Sequence, residues 1–389
     1  MRFADRMFRL GTETAFEVLV KARALEAQGR DVVHLEIGEP DFDTPKHVIE
    51  AGKAALDQGY THYGPSAGLP ELREAIAQDI AQSRNITVSP EQVVVTPGAK
   101  PIMFYVVLAL AQAGDEVIYP NPGFPIYESV IRFVGGTPVP IPLREERAFS
   151  LDVDELRDLV TDRTRLIIIN SPQNPTGGIL PPEDLEAIAQ VAVQHGIPVL
   201  TDEIYSRMIY DGAFHSITAY KGMQDLAIIL DGFSKTYAMT GWRLGYGVMP
   251  QELAAHVTKL MVNSNSCTAT FAQRAGLAAL LGPQDEVDAM IAEFRRRRDM
   301  FIAGLNDIPG VSCAMPQGAF YAFPNVTAVS RSSQEVADYL MQEGGVACLA
   351  GQDFGEYGEG YLRFSYANSM ENLNKALERI ADCLARLQG

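Results

Sequence analysis

Four short polar segments stand out because each follows a run of β-branched or aliphatic residues. They are Gly98-Ala99-Lys100, Asn174-Pro175-Thr176-Gly177, Asp202-Glu203-Ile204-Tyr205 and Ser234-Lys235-Thr236. Together they supply amines, carboxylates, an amide, a phenol and hydroxyl groups. A lysine amine can act as a nucleophile or as a base, so the segment that contains Lys235 has the clearest chemical potential.

Each of these signals is weak when it is taken singly. A lone lysine such as Lys235 is nearly always a solvated surface charge, Asn174-Pro175 is usually a turn, and Asp202 could merely cap a helix. Arg243 could pair with any surface carboxylate. The joint pattern is more specific, because the segments occur in a fixed order and Lys235 stands eight residues before Arg243.

The runs that precede these segments alternate with longer helical patterns, which is typical of βαβ units. Strands are predicted at Val93–Val95, Glu116–Tyr119, Arg165–Ile169, Pro198–Leu200 and Leu226–Leu230. The alternation predicts a mainly parallel sheet that is buried on both faces. Since ligands of open α/β sheets bind outside the carboxyl ends of the strands, we expect the polar segments to converge on one crevice.

The chain changes character from about Pro283 onward. A long helical pattern opens this part and another closes it, with short predicted strands at Phe320–Phe323 and Tyr361–Phe364 between them. This arrangement predicts a separate, smaller α+β lobe.

Composition and charge disfavour several classes of protein. The 389 residues include 47% hydrophobic and 21% charged side chains, typical of a globular protein with one large core and a satellite domain. A net charge of −17 opposes binding to nucleic acid. The one basic run, Arg295–Arg298, lies in a helical pattern and is interpreted as a solvated helix face.

The four cysteines are scattered, with no C-x-x-C pair and no histidine at ligand spacing. We therefore predict neither a metal site nor a disulfide framework, and a reducing cytoplasm fits best. The amino-terminal stretch contains charges throughout, unlike a signal peptide or a spanning helix of about 20 apolar residues. We expect no membrane partner.

Taken together, the motifs resemble those of the fold-type I pyridoxal-5′-phosphate (PLP) enzymes, specifically class I/II aminotransferases of the bacterial aspartate aminotransferase-like group. The resemblance covers essentially the whole chain. The matching segments are Gly38–Phe42, Tyr63–Arg73, Asn174–Gly177, Asp202–Tyr205, Ser234–Arg243 and Tyr361–Tyr366. The resemblance implies a role in amino acid metabolism, with an amino group moved between an L-amino acid and a 2-oxo acid. The expected acceptor is 2-oxoglutarate or pyruvate.

The resemblance also implies an architecture. We expect a fold-type I α/β transferase with a mainly parallel central sheet in a large domain and a smaller α+β domain. The large PLP-binding domain would span residues 46–282 and the small carboxy-terminal domain residues 283–389. Residues 1–45 would form an amino-terminal arm and part of the small domain. A cytoplasmic homodimer with composite active sites is implied as well.

Four residues match the chemical centre of the family. The resemblance implies that Lys235 binds the cofactor aldehyde covalently and, once displaced by substrate, moves the Cα proton. Asp202 is expected opposite the pyridine nitrogen, which it keeps protonated. Asn174 and Tyr205 match the pair that hydrogen-bonds the phenolic oxygen of the cofactor. Lys235, Asp202 and Tyr205 are the predicted catalytic residues.

Further matches concern the phosphate and the face of the cofactor ring. The family uses backbone amides at a helix start, a hydroxyl, an arginine fork, a stacked aromatic ring and a tyrosine from the neighbouring subunit. The corresponding residues are Gly98, Ala99, Lys100, Ser234, Arg243, Phe124 and Tyr63. For Phe124, a position in the hydrophobic core is the alternative.

Substrate contacts are implied at both ends of the amino acid. Arg363 matches a bidentate clamp for the α-carboxylate, the Gly38 amide matches a second contact, and Asn174 also adjoins the substrate. In aspartate-specific members, the lysine matching Lys100 handles the side-chain carboxylate. Glu17 aligns with a hydroxyl of that pocket and would there favour neutral or basic substrates. Alternatively, Glu17 pairs with Lys100 or points to water.

Other functions share parts of this pattern. PLP lyases, decarboxylases and cyclases acting on amino acids use the same constellation and differ in pocket shape rather than in motif, so they remain an alternative. We do not expect a regulator with a DNA-binding module, because no basic helix-turn-helix segment precedes the arm. A hydrolase is excluded by the lack of a Gly-x-Ser-x-Gly elbow, a His-Glu-x-x-His motif and a Walker loop.

Overall fold

The computed structural model describes residues 1–388, which form strands β1–β12 and helices α1–α12. The strands are β1 Val33–His34, β2 Val93–Thr96, β3 Glu116–Asn121, β4 Thr137–Pro142, β5 Thr164–Asn170, β6 Val199–Asp202, β7 Ala227–Gly232, β8 Gly245–Val248, β9 Tyr321–Ala322, β10 Val346–Ala347, β11 Leu349–Ala350 and β12 Leu362–Ser365. The helices are α1 Thr14–Glu26, α2 Lys46–Asp57, α3 Pro70–Arg84, α4 Lys100–Leu110, α5 Ile126–Val134, α6 Val153–Leu159, α7 Pro182–His195, α8 Gln251–Ser264, α9 Thr270–Leu281, α10 Asp285–Asn306, α11 Ser333–Tyr339 and α12 Met370–Gln388.

The central sheet has seven strands in the order β2-β8-β7-β6-β5-β3-β4. The pairs β7-β6, β6-β5, β5-β3 and β3-β4 are parallel, and β8 runs antiparallel to both of its neighbours. Strands β2, β3, β6, β7 and β8 are buried along their whole length. The prediction of a mainly parallel sheet covered on both faces is therefore confirmed, since continuous apolar runs are typical of such strands.

Two strands of this sheet were not predicted. Strand β4 reads Thr-Pro-Val-Pro-Ile-Pro and lies at the sheet edge, where prolines are tolerated because an edge strand leaves half of its N–H groups unpaired. Strand β8 contains Gly245 and Gly247, which weaken any strand pattern. A Cβ atom at Gly247 would lie 2.8 Å from a side-chain carbon of Ile102, so the glycine lets α4 pack closely.

The second part of the molecule combines the two ends of the chain. Val33 of β1 pairs with Val346 of β10 in a parallel two-stranded ladder. A three-stranded antiparallel sheet has the order β11-β12-β9, and α10 packs against α12 beside it. This arrangement supports the proposed small domain of residues 283–389, to which residues 1–45 contribute an arm and a further part. The exact boundaries stay a prediction.

The basic run on α10 differs from the prediction of a solvated face. Arg295 and Arg296 are exposed, whereas Arg297 and Arg298 are buried. Arg297 donates to Asp41 Oδ1 over 2.6 Å, and its guanidinium lies 4.9 Å from the centre of the Phe42 ring. Helical periodicity explains the difference, because four consecutive residues cover the whole circumference of a helix and two of them must face the core.

Within residues 1–388, no helix is both long enough and apolar enough to cross a membrane.

Candidate active site

A cavity of about 720 Å³ opens at the carboxyl edge of the central sheet. Most of the predicted site residues line it, namely Gly38, Ala99, Lys100, Phe124, Asn174, Asp202, Tyr205, Ser234, Lys235, Arg243 and Arg363. The parallel strands β5, β6 and β7 end at this edge and deliver Asn174, Asp202 and Lys235 from three neighbouring positions. The expected convergence of polar segments on one crevice is present.

Arg243 reaches the cavity because β8 runs in the opposite direction to the other strands. The residues before β8 therefore lie at the edge where the parallel strands end. Arg243 adopts a left-handed conformation with φ of 54°, and its Nη1 donates to the Thr240 carbonyl over 2.7 Å. Gly98 has a φ of 89°, which favours glycine, and a Cβ atom there would lie 2.2 Å from Arg243 Nη2 and would displace the guanidinium. Gly98 is thus packed against Arg243 and is not itself part of the cavity lining.

Lys235 follows β7 and directs its amine into the cavity, where Nζ donates to the Gly38 carbonyl. Burial lowers the pKa of Lys235 to about 8, and the nearby Glu13 and Glu39 carboxylates oppose this effect. An amine with that pKa has an appreciable neutral fraction near pH 7, which a nucleophile or a general base requires. The position and the pKa both fit the predicted chemistry.

Asp202 is the last residue of β6 and is buried below the cavity. Its Oδ2 accepts a hydrogen bond of 2.6 Å from the Tyr127 hydroxyl, and its Oδ1 accepts one of 3.3 Å from the Ile204 amide. Burial raises the pKa of Asp202 to about 6, although both hydrogen bonds act against the rise. A buried carboxylate of this kind gains most from a cationic partner.

Tyr205 and Tyr321 form a buried pair of phenols at one wall, with 2.7 Å between the hydroxyl oxygens. Burial raises the pKa of the Tyr205 hydroxyl well above its ordinary value, so it keeps its hydrogen and can donate. A Cβ atom at Gly38 would lie 2.2 Å from the Tyr321 hydroxyl oxygen. Gly38 must therefore remain a glycine for Tyr321 to occupy this place.

Arg363 lies on β12 and extends into the cavity from the small part of the molecule. Nη1 donates to Asn174 Oδ1 over 3.2 Å, and Nη2 donates to the Glu36 carbonyl. The guanidinium lies 4.6 Å from the centre of the Tyr321 ring. Its buried Nε atom has no hydrogen-bond partner. A buried guanidinium with an unused donor is suited to bind a carboxylate.

The opposite end of the cavity is built to receive an anion. Helix α4 begins at Lys100, and Pro101 occupies its first turn, where a missing N–H has no intrahelical partner to lose. The first amides of a helix favour negative charge. Ser234 and Arg243 line the same cavity. Phe124 also lines it, with its ring edge-on to Tyr127 at 5.7 Å, and it packs against the hydrophobic core as well, so stacking on the cofactor stays a prediction.

These features together fit PLP. The cavity has the size of a cofactor site, and it offers a helix start with an arginine for the phosphate and a buried carboxylate for the ring nitrogen. When bound, the cofactor supplies an electron sink that stabilises negative charge on the substrate Cα. Lys235, Asp202 and the unpaired Arg363 Nε are the groups of this chain that such a cofactor and its amino-acid substrate would use.

The prediction that Glu17 faces the substrate pocket is wrong for this fold. Helix α1 begins at Thr14, so Glu17 comes one turn later and is exposed outside the cavity. Glu13, the residue before the helix, lines the cavity instead, and its Oε2 lies 2.8 Å from Lys100 Nζ. The arm thus presents the carboxylate from a position four residues earlier.

Tyr63 lies outside the cavity of its own chain. It follows α2 in a loop and is 90% exposed, with no hydrogen bond from its hydroxyl group within residues 1–388. Its predicted contact with the phosphate of a neighbouring subunit stays a prediction.

Several residues of the cavity were not predicted from the sequence. They include Glu13, Phe16, Ile37, Glu39, Tyr127, Thr240 and Tyr321. Tyr127 stands one helical turn after Phe124, and this spacing could have suggested it. Glu13 and Tyr321 have no comparable local signal, because they come from the arm and from the small part of the molecule.

Comparison with known proteins gives a consistent result. Residues 30–380 match the family model described as aminotransferase class I and II. The chain is 43% identical to an aspartate aminotransferase of Pyrococcus abyssi over 91% of this chain and 92% of the relative. It is 38% identical to the aromatic-amino-acid aminotransferase 2 of Thermococcus litoralis over 99% and 98% of the two chains. A solved aspartate aminotransferase of Thermus thermophilus with maleate superposes with a TM-score of 0.94 at 39% identity, covering 98% of this chain and 100% of that one.

Proposed function

Because this chain belongs to the class I and II aminotransferase family, we propose that it accepts several neutral or basic L-amino acids as donors, with 2-oxoglutarate or pyruvate as acceptor. The fold-type I architecture, the PLP cofactor and amino-group transfer between an amino acid and a 2-oxo acid are established by family membership. The transferase prediction is therefore confirmed in preference to a lyase, decarboxylase or cyclase. The proposal concerns the substrates and the residues that act on them.

The observation that carries the proposal is the state of Arg363. Its guanidinium is buried, its Nε is unpaired, and Asn174 and the Glu36 carbonyl fix its orientation. An arginine held in this way would bind the α-carboxylate, which every amino acid possesses, and would make no contact with the substrate side chain. A broad donor range follows unless another group in the cavity discriminates.

The roles of the other residues follow from their positions. Lys235 would form the covalent bond with the cofactor and move the Cα proton, because its amine is buried and has a lowered pKa. Asp202 would hold the pyridine nitrogen in its protonated form. Asn174 and Tyr205 would donate to the phenolic oxygen, and the Gly38 amide would add a contact to the α-carboxylate.

The phosphate end of the site would use the start of α4. The amides near Gly98, Ala99 and Lys100, the Ser234 hydroxyl and the Arg243 guanidinium supply neutral and charged donors for a dianion. Phe124 would stack on the cofactor ring. Ala99, Lys100, Phe124, Ser234 and Arg243 line the cavity, and Gly98 packs behind Arg243.

We also propose a homodimer in which Tyr63 completes the site of the partner. A tyrosine that is 90% exposed in one chain, in a segment that the family uses at its subunit contact, supports this assignment. A reducing, cytoplasmic location is proposed from the four cysteines, which are all unpaired within residues 1–388.

A single-turnover screen tests the donor range. Each of the twenty amino acids is mixed with the PLP form of the enzyme, and conversion of the cofactor to its amine form is followed by absorbance. We expect conversion with several neutral or basic amino acids. Reaction with aspartate and glutamate alone would show that the enzyme is an aspartate aminotransferase and would refute the broad range. Release of ammonia or carbon dioxide without conversion would contradict transamination itself.

A further inference from the structure

The cavity lining contains an ion pair that connects two distant elements of the chain. Glu13 Oε2, just before α1, lies 2.8 Å from Lys100 Nζ at the start of α4. Lys100 Nζ also lies 5.2 Å from the centre of the Phe124 ring. The pair therefore lies beside the ring that is proposed to cover the cofactor.

The other cations of the cavity lining have proposed roles elsewhere in the site. Arg363 is assigned to the α-carboxylate, Arg243 to the phosphate and Lys235 to the covalent bond with the cofactor. Among the lining residues, Lys100 is therefore the cation available for a carboxylate on the substrate side chain when its pair with Glu13 opens.

Two of the three carboxylates in the cavity lining accept hydrogen bonds from hydroxyl groups. Glu39 accepts a hydrogen bond of 2.7 Å from the Thr240 hydroxyl, and Asp202 accepts one from Tyr127. Glu13 is consequently the carboxylate that faces Lys100, and the pair as a whole is neutral. Ala15, Phe16 and Ile37 also line the cavity and contribute apolar surface.

Both halves of a transamination use one cavity. Suppose that the acceptor is a dicarboxylic 2-oxo acid and the donor a neutral amino acid. The part of the cavity that receives the substrate side chain must then accommodate a negative charge in one half-reaction and no charge in the other. A permanently free lysine would favour the dicarboxylate over the neutral donor, because only the dicarboxylate has a second carboxylate that can pair with it.

We propose that Glu13 is a specificity-determining residue that pairs with Lys100 when the substrate side chain is neutral and releases Lys100 when that side chain carries a carboxylate. This inference rests on the proposed broad donor range. A basic side chain would instead pair with Glu13 and leave Lys100 in solvent. The lysine and glutamate side chains are 45% and 25% exposed, so water can solvate each charge when the pair opens.

The strength of the pair sets the expected effect. A partly exposed ion pair changes the binding constant of a competing ligand by roughly twofold to fivefold, because solvent screens the attraction between the two charges. A dicarboxylate must overcome this competition before it can use Lys100. Removing the charge of Glu13 should therefore tighten dicarboxylate binding by up to about fivefold and leave monocarboxylate binding unchanged.

Binding of two unreactive acids to the PLP form tests the proposal by calorimetry. Succinate is the dicarboxylate and butyrate the matched monocarboxylate. We expect Glu13→Gln to tighten succinate binding about threefold to fivefold without changing the affinity for butyrate. Glu17→Gln is the control, since Glu17 is exposed one turn further along the helix and lies outside the cavity. Equal changes for both acids, or no change for succinate, would overturn the proposal.

A double-mutant cycle gives a second, independent measurement. Lys100→Gln should weaken succinate binding, and adding Glu13→Gln to that variant should then have no further effect, because the glutamate acts through the lysine. Additive effects of the two substitutions would contradict the proposal. If Glu13→Gln fails to fold, Glu13→Asp replaces it, and the shorter side chain should give a smaller gain in succinate affinity.

The donor screen separates this inference from the function on which it rests. A wild-type enzyme that converts only aspartate and glutamate refutes the broad range. A wild-type enzyme that converts many donors, combined with unchanged succinate binding in Glu13→Gln, refutes only the role of Glu13.

Discussion

Tyr127 donates its hydroxyl hydrogen to Asp202 Oδ2 over 2.6 Å, and both side chains are buried. Asp202 is the last residue of β6 and Tyr127 lies on α5, so the hydrogen bond joins a strand of the central sheet to a helix beside the cavity. The bond favours the ionised form of Asp202 and limits the rise in its pKa that burial produces. Tyr127 is therefore a positioning residue for the carboxylate.

We expect Tyr127→Phe to raise the pKa of Asp202 above its value of about 6. The protonated fraction at neutral pH would grow, and PLP affinity should fall about tenfold at pH 7, as for loss of a hydrogen bond to a charged group. Titration of the apoenzyme with PLP between pH 5 and pH 9 measures this, and the loss should shrink at the alkaline end. A loss of PLP affinity that does not depend on pH would indicate only a packing defect. Tyr357→Phe, at an exposed tyrosine outside the cavity, is the control.

Lys235 should be the residue that binds the cofactor covalently. Borohydride reduction in the presence of PLP, followed by mass spectrometry of the peptides, should place the pyridoxyl group on Lys235. Lys235→Ala should abolish turnover, because both the nucleophile and the base are removed. Lys221→Ala, at an exposed lysine, should retain full activity. An adduct on another lysine would show that the site is assigned wrongly.

Arg363→Lys should reduce kcat/KM for all donors by about a hundredfold, since an ammonium cannot replace a bidentate guanidinium in a buried site. The reduction should be the same for aspartate and for alanine, because the α-carboxylate is common to both. Steady-state kinetics with the two donors provides the comparison, with Arg157→Lys at an exposed position as the control. A reduction confined to aspartate would place Arg363 at the side chain instead.

Tyr63→Phe should weaken retention of PLP without changing the thermal midpoint. The side chain is 90% exposed in one chain, and surface substitutions of this kind change stability by less than about 0.5 kcal/mol. Dialysis followed by absorbance measures retention, and sedimentation velocity measures the oligomeric state. A monomer that is active at micromolar concentration would refute the shared site.

His34 should make stability depend on pH in the alkaline range. Its Nδ1 lies 2.8 Å from the buried Glu36 carboxylate, and this hydrogen bond raises the pKa of His34 to about 9, with Glu26 adding to the rise. The charged form is thus favoured in the folded state. The contribution of His34 to the free energy of unfolding is fully present below its ordinary pKa of 6.5 and is lost as the pH rises through about 9.

Urea denaturation at pH 6 and at pH 9.5 checks this expectation. The His34 side chain is 29% exposed, so solvent screens part of the effect. We expect the free energy of unfolding to fall by about 1 kcal/mol between the two pH values. His34→Gln should remove most of that difference, whereas His215→Gln, at an exposed histidine, should leave it unchanged. An identical pH dependence in wild type and His34→Gln would contradict the assignment.

The sequence by itself determined the family, the mainly parallel sheet and nearly half of the residues that line the cavity. This was possible because buried parallel strands leave continuous apolar runs, and the residues after them occupy the sheet edge where ligands bind. Lys235, Asp202 and Asn174 could be identified for this reason. Each lies in a local segment whose position follows from the strand before it.

Only the tertiary structure decided how distant segments meet. Glu13 and Lys100 are 87 residues apart, and a shift of one helical turn in the arm puts Glu13 rather than Glu17 in the cavity. Tyr321 reaches Tyr205 from the small part of the molecule, across 116 residues. Such contacts depend on where whole elements pack, and periodicity within a segment contains no information about that. The reversal of β8, which brings Arg243 to the same edge as the parallel strands, is settled by pairing between strands for the same reason.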